Sequence, residues 1–539
     1  MLRIWTGPCA ALALLGAPSL LAADRPLQLM LPPGATVSTP LAVAPQQIRV
    51  LELDSQGEQV SISLFDGDHL LRQLTLPENN RLALRGQPGQ PLQLRARSEA
   101  PAQLNLKIGA ALPSPSPAQP AAEQPASPRL RALQTALESG DTDALNTFWQ
   151  HMTAHGGPLV EPMADGRQRV TFVVRSPAAA GEVRLFWPAP GINSRQLALL
   201  PGSDLRYLSI EVPAGTRASY RLASGLPPMN DQPRAVLRQV LQDLAAADPL
   251  NPARWQPDPA APAQSVLSLP GARPYDWHQP RSDVPKGTVQ RLRYHSKRLG
   301  NQRQLTLYTP AGKQHDALPL LTLFDEQAYT LEVPTPTLLD NLIAAGRIPP
   351  MAAVLVGNPD RASRATELPG NPDFADFLAM ELLPWLQTRL PISCAAEDRI
   401  LAGSSFGGLA AAYVAMRHPQ RFGKVLSQSG SFWWSPEGEP PQWLVRQYAE
   451  HQRLPLRFYL DAGLLEEPGA EGILGSTRAL YEVLQGKGYP VDYQEFAGGH
   501  DYLLWRDTLV DGLTALTSDS RGASQSRYCC RRLSCSLAR

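Results

Sequence analysis

Cysteine is scarce: the chain of 539 residues has 5, with Cys9 in an apolar leader and Cys529, Cys530 and Cys535 near the end. Only Cys394 stands in the body, so no disulfide framework holds the fold. The three late cysteines lack the spacing of a structural metal site, and none is expected there. An excess of charge of one sign is missing too. With 50 Lys+Arg against 49 Asp+Glu the formal net charge is +1, which argues against a nucleic-acid binder, since such a protein presents a basic face. No apolar run approaches the ~20 residues that cross a bilayer. The one candidate, around Ala10 to Leu15, is short, follows the basic Arg3 and precedes the small Ala22 and Ala23. It reads as a secretory signal over residues 1–23, so export to the periplasm or beyond is expected, with no stable membrane insertion after cleavage.

Length, by contrast, is ample: a chain of this size divides into about three domains of roughly 100–200 residues each. Over 24–110, short runs alternate apolar and polar residues, as in Ile48-Arg-Val-Leu-Glu-Leu53 and Val60-Ser-Ile-Ser-Leu64. Turn residues such as Asp66-Gly67 separate them, so a small β-sandwich accessory domain is expected. Residues 111–128 are rich in Pro, Ala and Ser and form an extended linker. A short helix from Arg129 to Glu138 opens a second β-rich domain over 129–258, with strands such as Gln168-Arg-Val-Thr-Phe-Val-Val174. A connection over 259–290 leads to a segment over 291–518 with fully apolar strands such as Leu318-Pro-Leu-Leu-Thr-Leu-Phe324. Residues 519–539 are Ser/Arg/Cys-rich without apolar periodicity, a disordered tail.

The chemistry is concentrated in Leu401-Ala-Gly-Ser-Ser-Phe-Gly-Gly-Leu-Ala410, where Gly403, Ser405 and Gly407 have the G-x-S-x-G spacing of a nucleophile elbow. A strand ending near Ala402 and a helix over Leu409 to Arg417 put Ser405 at a strand-to-helix turn. The Phe406 amide, opening that helix, is aimed at a developing oxyanion. A nucleophilic serine needs a base, and the base needs an orienting acid. His500, in Phe496-Ala-Gly-Gly-His-Asp501, is a loop histidine between a strand and an aromatic helix. An acid is expected after the strand Leu456-Arg-Phe-Tyr-Leu-Asp-Ala-Gly463: Glu466 first, with Asp461 and Glu467 as rivals. The order serine, acid, histidine is that of α/β-hydrolases.

Several stretches resemble the enterochelin (ferric enterobactin) esterase family over most of residues 130–518. They include Gly157-Pro-Leu-Val-Glu161, Asp248-Pro-Leu-Asn-Pro252, Arg361-Ala-Ser-Arg-Ala-Thr-Glu-Leu-Pro-Gly-Asn371, Gly498-Gly-His-Asp501 and Trp505-Arg506. The most specific is Leu426-Ser-Gln-Ser-Gly-Ser-Phe-Trp-Trp434. The resemblance implies a C-terminal α/β-hydrolase catalytic domain preceded by a β domain; with the first β-sandwich read from the alternation, the architecture expected is multidomain α/β with two β-sandwich-like domains before the catalytic one. It implies a serine esterase that opens the trilactone ester bonds of a small-molecule catecholate siderophore to release iron, and with the leader an exported one. Ser405, His500 and Glu466 would be nucleophile, base and acid. No cofactor or metal is implied, iron entering only within the substrate. Where the family has Asp-Gly-Gln this chain has Asp325-Glu-Gln327, so the second oxyanion amide, assigned to Gln327, must come from a loop with Glu326 in the glycine position. A tricatecholate wants flat walls and cations. Trp433, Trp434, Tyr329 and Trp505 are the candidate walls, and Arg364 and Arg506 the candidate cations, with Arg364 equally able to form a structural ion pair with Glu367. The elbow fixes reaction type and not substrate, so a carboxylesterase for feruloyl-like or other acyl esters is the alternative. A noncatalytic siderophore-binding protein is the alternative of another class.

Overall fold

The computed structural model describes residues 26–518 apart from 57–59, 77–79, 90, 118–122, 189–193, 260, 274–275, 313–316, 468 and 470. The leader expected over 1–23 and the tail expected over 519–539 lie outside the described residues. The chain divides into two compact units, residues 1–114 and 115–539.

In the first unit the period-two alternation folds as it reads. One antiparallel sheet holds Leu27–Leu31, Ala102–Ala111, Ile48–Gln56 and Arg81–Arg85, and the other holds Thr36–Leu41, Leu92–Ser98, Val60–Asp66 and His69–Leu76. Alternate side chains point to opposite faces of a strand, so Leu51, Ile62, Leu94 and Leu104 meet between the sheets, fully buried, in one apolar core.

The second unit begins with the helices Pro128–Glu138 and Ala144–His155. Ser127 caps the first, its hydroxyl accepting from the Leu130 amide, and Pro128 sits where a missing N–H costs nothing. The second of these helices is not among the elements expected from the sequence, which has only the helix from Arg129 to Glu138 here. Both helices bury Leu130, Trp149 and Met152 against Val173 and Tyr207, covering the outer face of a sheet ordered Ala198–Leu199, Leu205–Val212, Gln168–Arg175, Leu159–Pro162. A second sheet, ordered Glu182–Phe186, Arg217–Leu226, Gln264–Ser268, Arg254–Trp255, closes a core around Phe172, whose ring lies 5.6 Å from Trp187 and 4.8 Å from Tyr220. Gln264–Ser268 lies beyond residue 258, so this β layer reaches further along the chain than the expected boundary. Glu182–Phe186 pairs with Arg217–Leu226 only from Arg221 to Leu226, while Gln264–Ser268 takes the opposite edge over Arg217–Tyr220. Among the described residues one edge of Arg217–Ser219 is therefore left without a strand neighbour.

The rest of the unit is an eight-stranded sheet ordered Thr288–Ser296, Asn301–Thr309, Ala352–Val356, Leu320–Phe324, Arg399–Ser404, Lys424–Gln428, Arg457–Gly463 and Val491–Phe496. Thr288–Ser296 runs antiparallel at one edge, paired among the described residues with Asn301–Thr309 alone, and the strands from Ala352–Val356 onward are parallel. Parallel strands need crossover helices, which bury both faces and make the strands apolar throughout. Leu320–Phe324 and Ala352–Val356 are buried at every position for that reason. In open sheets of this kind, sites form outside the carboxyl ends of the strands.

Candidate active site

Ser405 stands between the strand Arg399–Ser404 and the helix Phe406–Arg417, with φ 58° and ψ −122°. A side-chain-bearing residue in that conformation costs about 1–3 kcal/mol and persists only where its surroundings impose it. Here the Ser405 amide donates to the Gln428 carbonyl (3.0 Å) and its own carbonyl accepts from the Ser431 amide (3.0 Å). Strand and helix come so close that a Cβ on Gly403 would stand 2.7 Å from the backbone of Gly407. The neighbouring Ser404 is fully buried, so only Ser405 is presented. Its Oγ lies 3.3 Å from Ser431 Oγ. Ser431 had no role in the sequence reading, because spacing along a loop does not report which hydroxyl reaches the elbow.

His500 follows the edge strand Val491–Phe496, and Glu466 follows the adjacent strand Arg457–Gly463. His500 Nδ1 lies 2.6 Å from Glu466 Oε1, and Glu466 Oε2 accepts from the Gly463 amide at 2.7 Å. The acid is 1% exposed, so its orientation is set by these two donors. A carboxylate on Nδ1 keeps the proton there and leaves Nε2 free to accept one. The rivals fall elsewhere. Glu467 is exposed. Asp461 is fully buried and accepts from the Ser429 amide, and burial, with the Glu466 charge nearby, holds it well above the usual carboxylate range. Trp505 meets the His500 ring edge-on at 4.6 Å and donates its indole N–H to Ser429 Oγ.

The loop after Leu320–Phe324 accommodates Glu326 by turning its side chain inward, where the Thr306 and Thr330 hydroxyls donate to its carboxylate. The Glu326 amide is engaged by the Val356 carbonyl (3.3 Å). Gln327, exposed at the start of the short helix Ala328–Leu331, is the next amide along. Phe406, as the first residue of its helix, has no intrahelical acceptor for its amide.

The expected substrate contacts need correction. Tyr329 is fully buried and donates its hydroxyl to Gln428 Oε1 (2.7 Å), so it is a strut inside the fold. Trp505, 3% exposed, packs on the histidine, and Arg506, 5% exposed, has its Nε 3.4 Å from Asp507. Arg364 grips both oxygens of Asp325, at 2.6 and 2.7 Å, while Asn358 donates to the same carboxylate. Its expected partner Glu367 is held instead by Arg303 and Asn301. Arg364 thus fixes the loop residue Asp325, itself at φ 58°. Trp433 and Trp434 do line a cavity of about 340 Å³ with Ser435, Glu439, Pro441 and Glu471. The Trp433 ring is 6.1 Å from that of Phe406, which ties the cavity to the elbow. Trp434 is shared with the fold, meeting Trp443 edge-on at 6.0 Å and closing over Gly370. A larger cavity of about 650 Å³ lies along the outermost strand Thr288–Ser296, with three strands between it and the serine strand, and is not part of this site. Among the described residues no helix is long and apolar enough to cross a membrane.

Comparison with known proteins agrees with this geometry. Residues 169–278 match the family model of the enterochelin esterase N-terminal domain, and residues 296–516 match an esterase family model. The iron(III) enterobactin esterase of Escherichia coli O6:H1 is 31% identical over 406 residues, covering 71% of this chain and 98% of the relative. The iron(III) salmochelin esterase of the same organism is 28% identical, covering 72% of this chain and 97% of the relative. The crystal structure of ferric enterobactin esterase from Salmonella typhimurium superposes with a TM-score of 0.57 at 31% identity, over 70% of this chain and 99% of that one. The enterobactin esterase of Shigella flexneri, crystallised in the presence of enterobactin, gives 0.56 at 30% identity, over 69% and 98%. An elbow serine, a carboxylate-bound histidine and two matching domain models together place this chain in the enterochelin (iron(III) enterobactin) esterase family, as a carboxylic ester hydrolase.

Proposed function

We propose that the chain is an exported serine esterase that hydrolyses the ester bonds of a catecholate siderophore such as ferric enterobactin, so that its iron is released. The observation that carries this reading is that the elbow serine and the His500–Glu466 pair all stand beyond the carboxyl ends of parallel strands of one sheet, with the Trp433 cavity adjoining the elbow. Ser405 Oγ attacks the ester carbonyl while His500 Nε2 takes its proton. The oxyanion that forms is met by the amides of Phe406 and Gln327. Collapse of the intermediate expels the alcohol, which receives the proton from His500. Water then repeats the sequence on the acyl-enzyme, with Glu466 holding the imidazole in its working tautomer throughout. The reaction needs no resident metal or cofactor, and the iron belongs to the substrate.

With Arg364 and Arg506 engaged by Asp325 and Asp507, recognition is assigned to aromatic contact at Trp433. One catechol ring enters against Trp433 while the anionic iron centre stays outside, since Glu439 and Glu471 line the cavity. The same two carboxylates favour a second reading, a neutral aromatic acyl ester of the feruloyl type. Purified protein incubated with ferric enterobactin should yield linear products, and Trp433→Ala should raise KM for that substrate about 2- to 12-fold, the worth of one aromatic pair, while sparing a small neutral ester. Turnover of feruloyl esters with none of ferric enterobactin would establish the second reading. Binding with no turnover of any ester would leave only a binder.

Export rests on the leader. A fusion of residues 1–30 to a reporter active only outside the cytoplasm should score positive, with the mature chain beginning near Ala23 or Asp24. Native protein that retains Met1 would refute it.

A further inference from the structure

The edge of Arg217–Ser219 left open by Glu182–Phe186 is occupied by the histidine loop. The Arg217 amide donates to the Ala497 carbonyl (3.0 Å), and the Ser219 amide donates to Asp501 Oδ2 (2.7 Å). Where Glu182–Phe186 ends, the chain continues to Pro188, whose carbonyl accepts the amide of His500 itself (2.6 Å). The 497–501 segment therefore takes up hydrogen-bonding groups at the end of a sheet that belongs to the N-terminal β layer. The fit is close. A Cβ on Gly498 would stand 2.9 Å from the Arg217 carbonyl, so the loop can approach only with glycine there. Side chains reinforce the contact, with Arg217 Nη1 2.6 Å from Asp507 Oδ2 on the helix Tyr502–Thr517, both groups largely buried. The acid loop is tied to the same place. Leu464 and Leu465 donate to the carbonyls of Phe496 and Gly498 at 2.8 and 2.9 Å, and the Leu465 side chain packs against the N-terminal layer's core.

We propose that Asp501 and Arg217 are positioning residues for His500, and that the N-terminal β layer serves catalysis by holding the histidine and acid loops on its open strand edge. The inference rests on the reading of Ser405, His500 and Glu466 as the catalytic set. Asp501 has two separable duties: Oδ1 caps the helix by accepting from the Leu503 amide (3.0 Å), while Oδ2 reaches across to Ser219. Serine is a good helix cap but is one atom shorter, so Asp501→Ser keeps the cap and releases the clamp.

The test uses the full chain and a small neutral ester, with active sites counted by a fluorophosphonate burst. Asp501→Ser is expected to lower kcat about 10- to 100-fold, the cost of misplacing a catalytic group by an ångström or so. KM should move less than about 2-fold, because the ester does not touch the clamp. The downfield NMR resonance of the His500 Nδ1 proton should weaken or vanish in parallel. Should Asp501→Ser fail to fold, Arg217→Met removes the second tie, that from the Arg217 side chain to Asp507 on the helix after the histidine loop, and is read by the same criteria. An unchanged kcat, or a reduced kcat with the Nδ1 resonance intact, overturns the proposal and leaves the contact purely structural. Wild-type protein without esterase activity would instead sink the catalytic reading on which the proposal stands.

Discussion

Ser405→Ala is expected to cut turnover of any ester at least about a thousand-fold while leaving the melting temperature nearly unchanged. The loss follows from chemistry: the side chains around the elbow offer no substitute at the point where the strand hands the chain to the helix. Ser431 Oγ is close, at 3.3 Å, but Ser431 lacks the elbow conformation that presents Ser405. The small effect on folding also has a reason, since alanine keeps the Cβ that the φ of 58° already tolerates and loses only a hydroxyl. Ser404→Ala is the control. Its hydroxyl is buried within the strand, so activity should survive. Measured kcat on a chromogenic ester decides the matter, and the elbow assignment fails if Ser404→Ala abolishes activity while Ser405→Ala does not.

Glu466→Gln is expected to lower kcat about 10³- to 10⁴-fold, because an amide in this position reverses the tautomer of the base. The Gly463 N–H needs an acceptor, so the glutamine oxygen takes the place of Oε2 and its NH₂ faces His500 Nδ1. That nitrogen must then be unprotonated, which moves the proton to Nε2 and deprives Ser405 of its base. Glu467→Gln should be silent because the side chain is in solvent. Asp461→Asn should also lose little: burial favours a neutral Asp461, and asparagine keeps an acceptor for the Ser429 amide. Steady-state kinetics of the three variants distinguishes them. Equal losses in all three would leave the acid unassigned, and no loss in any would favour a Ser–His dyad.

What was legible in the sequence is what is encoded by spacing over a few residues. The elbow is such a case, since two glycines flanking a serine specify both the close approach and the turn. The alternating strands of the first unit are another. The acid was legible only as a region, because Glu466 and Glu467 are chemically identical neighbours and the choice depends on which one the turn after Gly463 directs inward. Tyr329, Trp505, Arg506 and Arg364 were harder to place than Trp433 and Trp434. Tyr329 and Trp505 sit on helices next to the site, yet their direction is set by Gln428 and Ser429, 99 and 76 residues away; Arg506 is buried beside its chain neighbour Asp507. Arg364 was read against Glu367 on its own helix, whereas the carboxylate it grips, Asp325, is 39 residues upstream on another strand end. The clamp on the histidine loop spans 282 residues between Ser219 and Asp501, and no local pattern announces it.

The outermost strand bears on how the protein behaves at high concentration. Thr288–Ser296 is nine residues long and among the described residues has one strand partner, so its other edge can template the sheet of another molecule. Two such edges meeting antiparallel about Leu292 would set Arg291 of one copy against Arg293 of the other, twice over. Both arginines are exposed, and like charges directly opposed across strands are destabilising. The edge thus carries its own colloidal guard, one that a change of Arg291 and Arg293 to threonine would remove without touching the chemistry at the far side of the sheet.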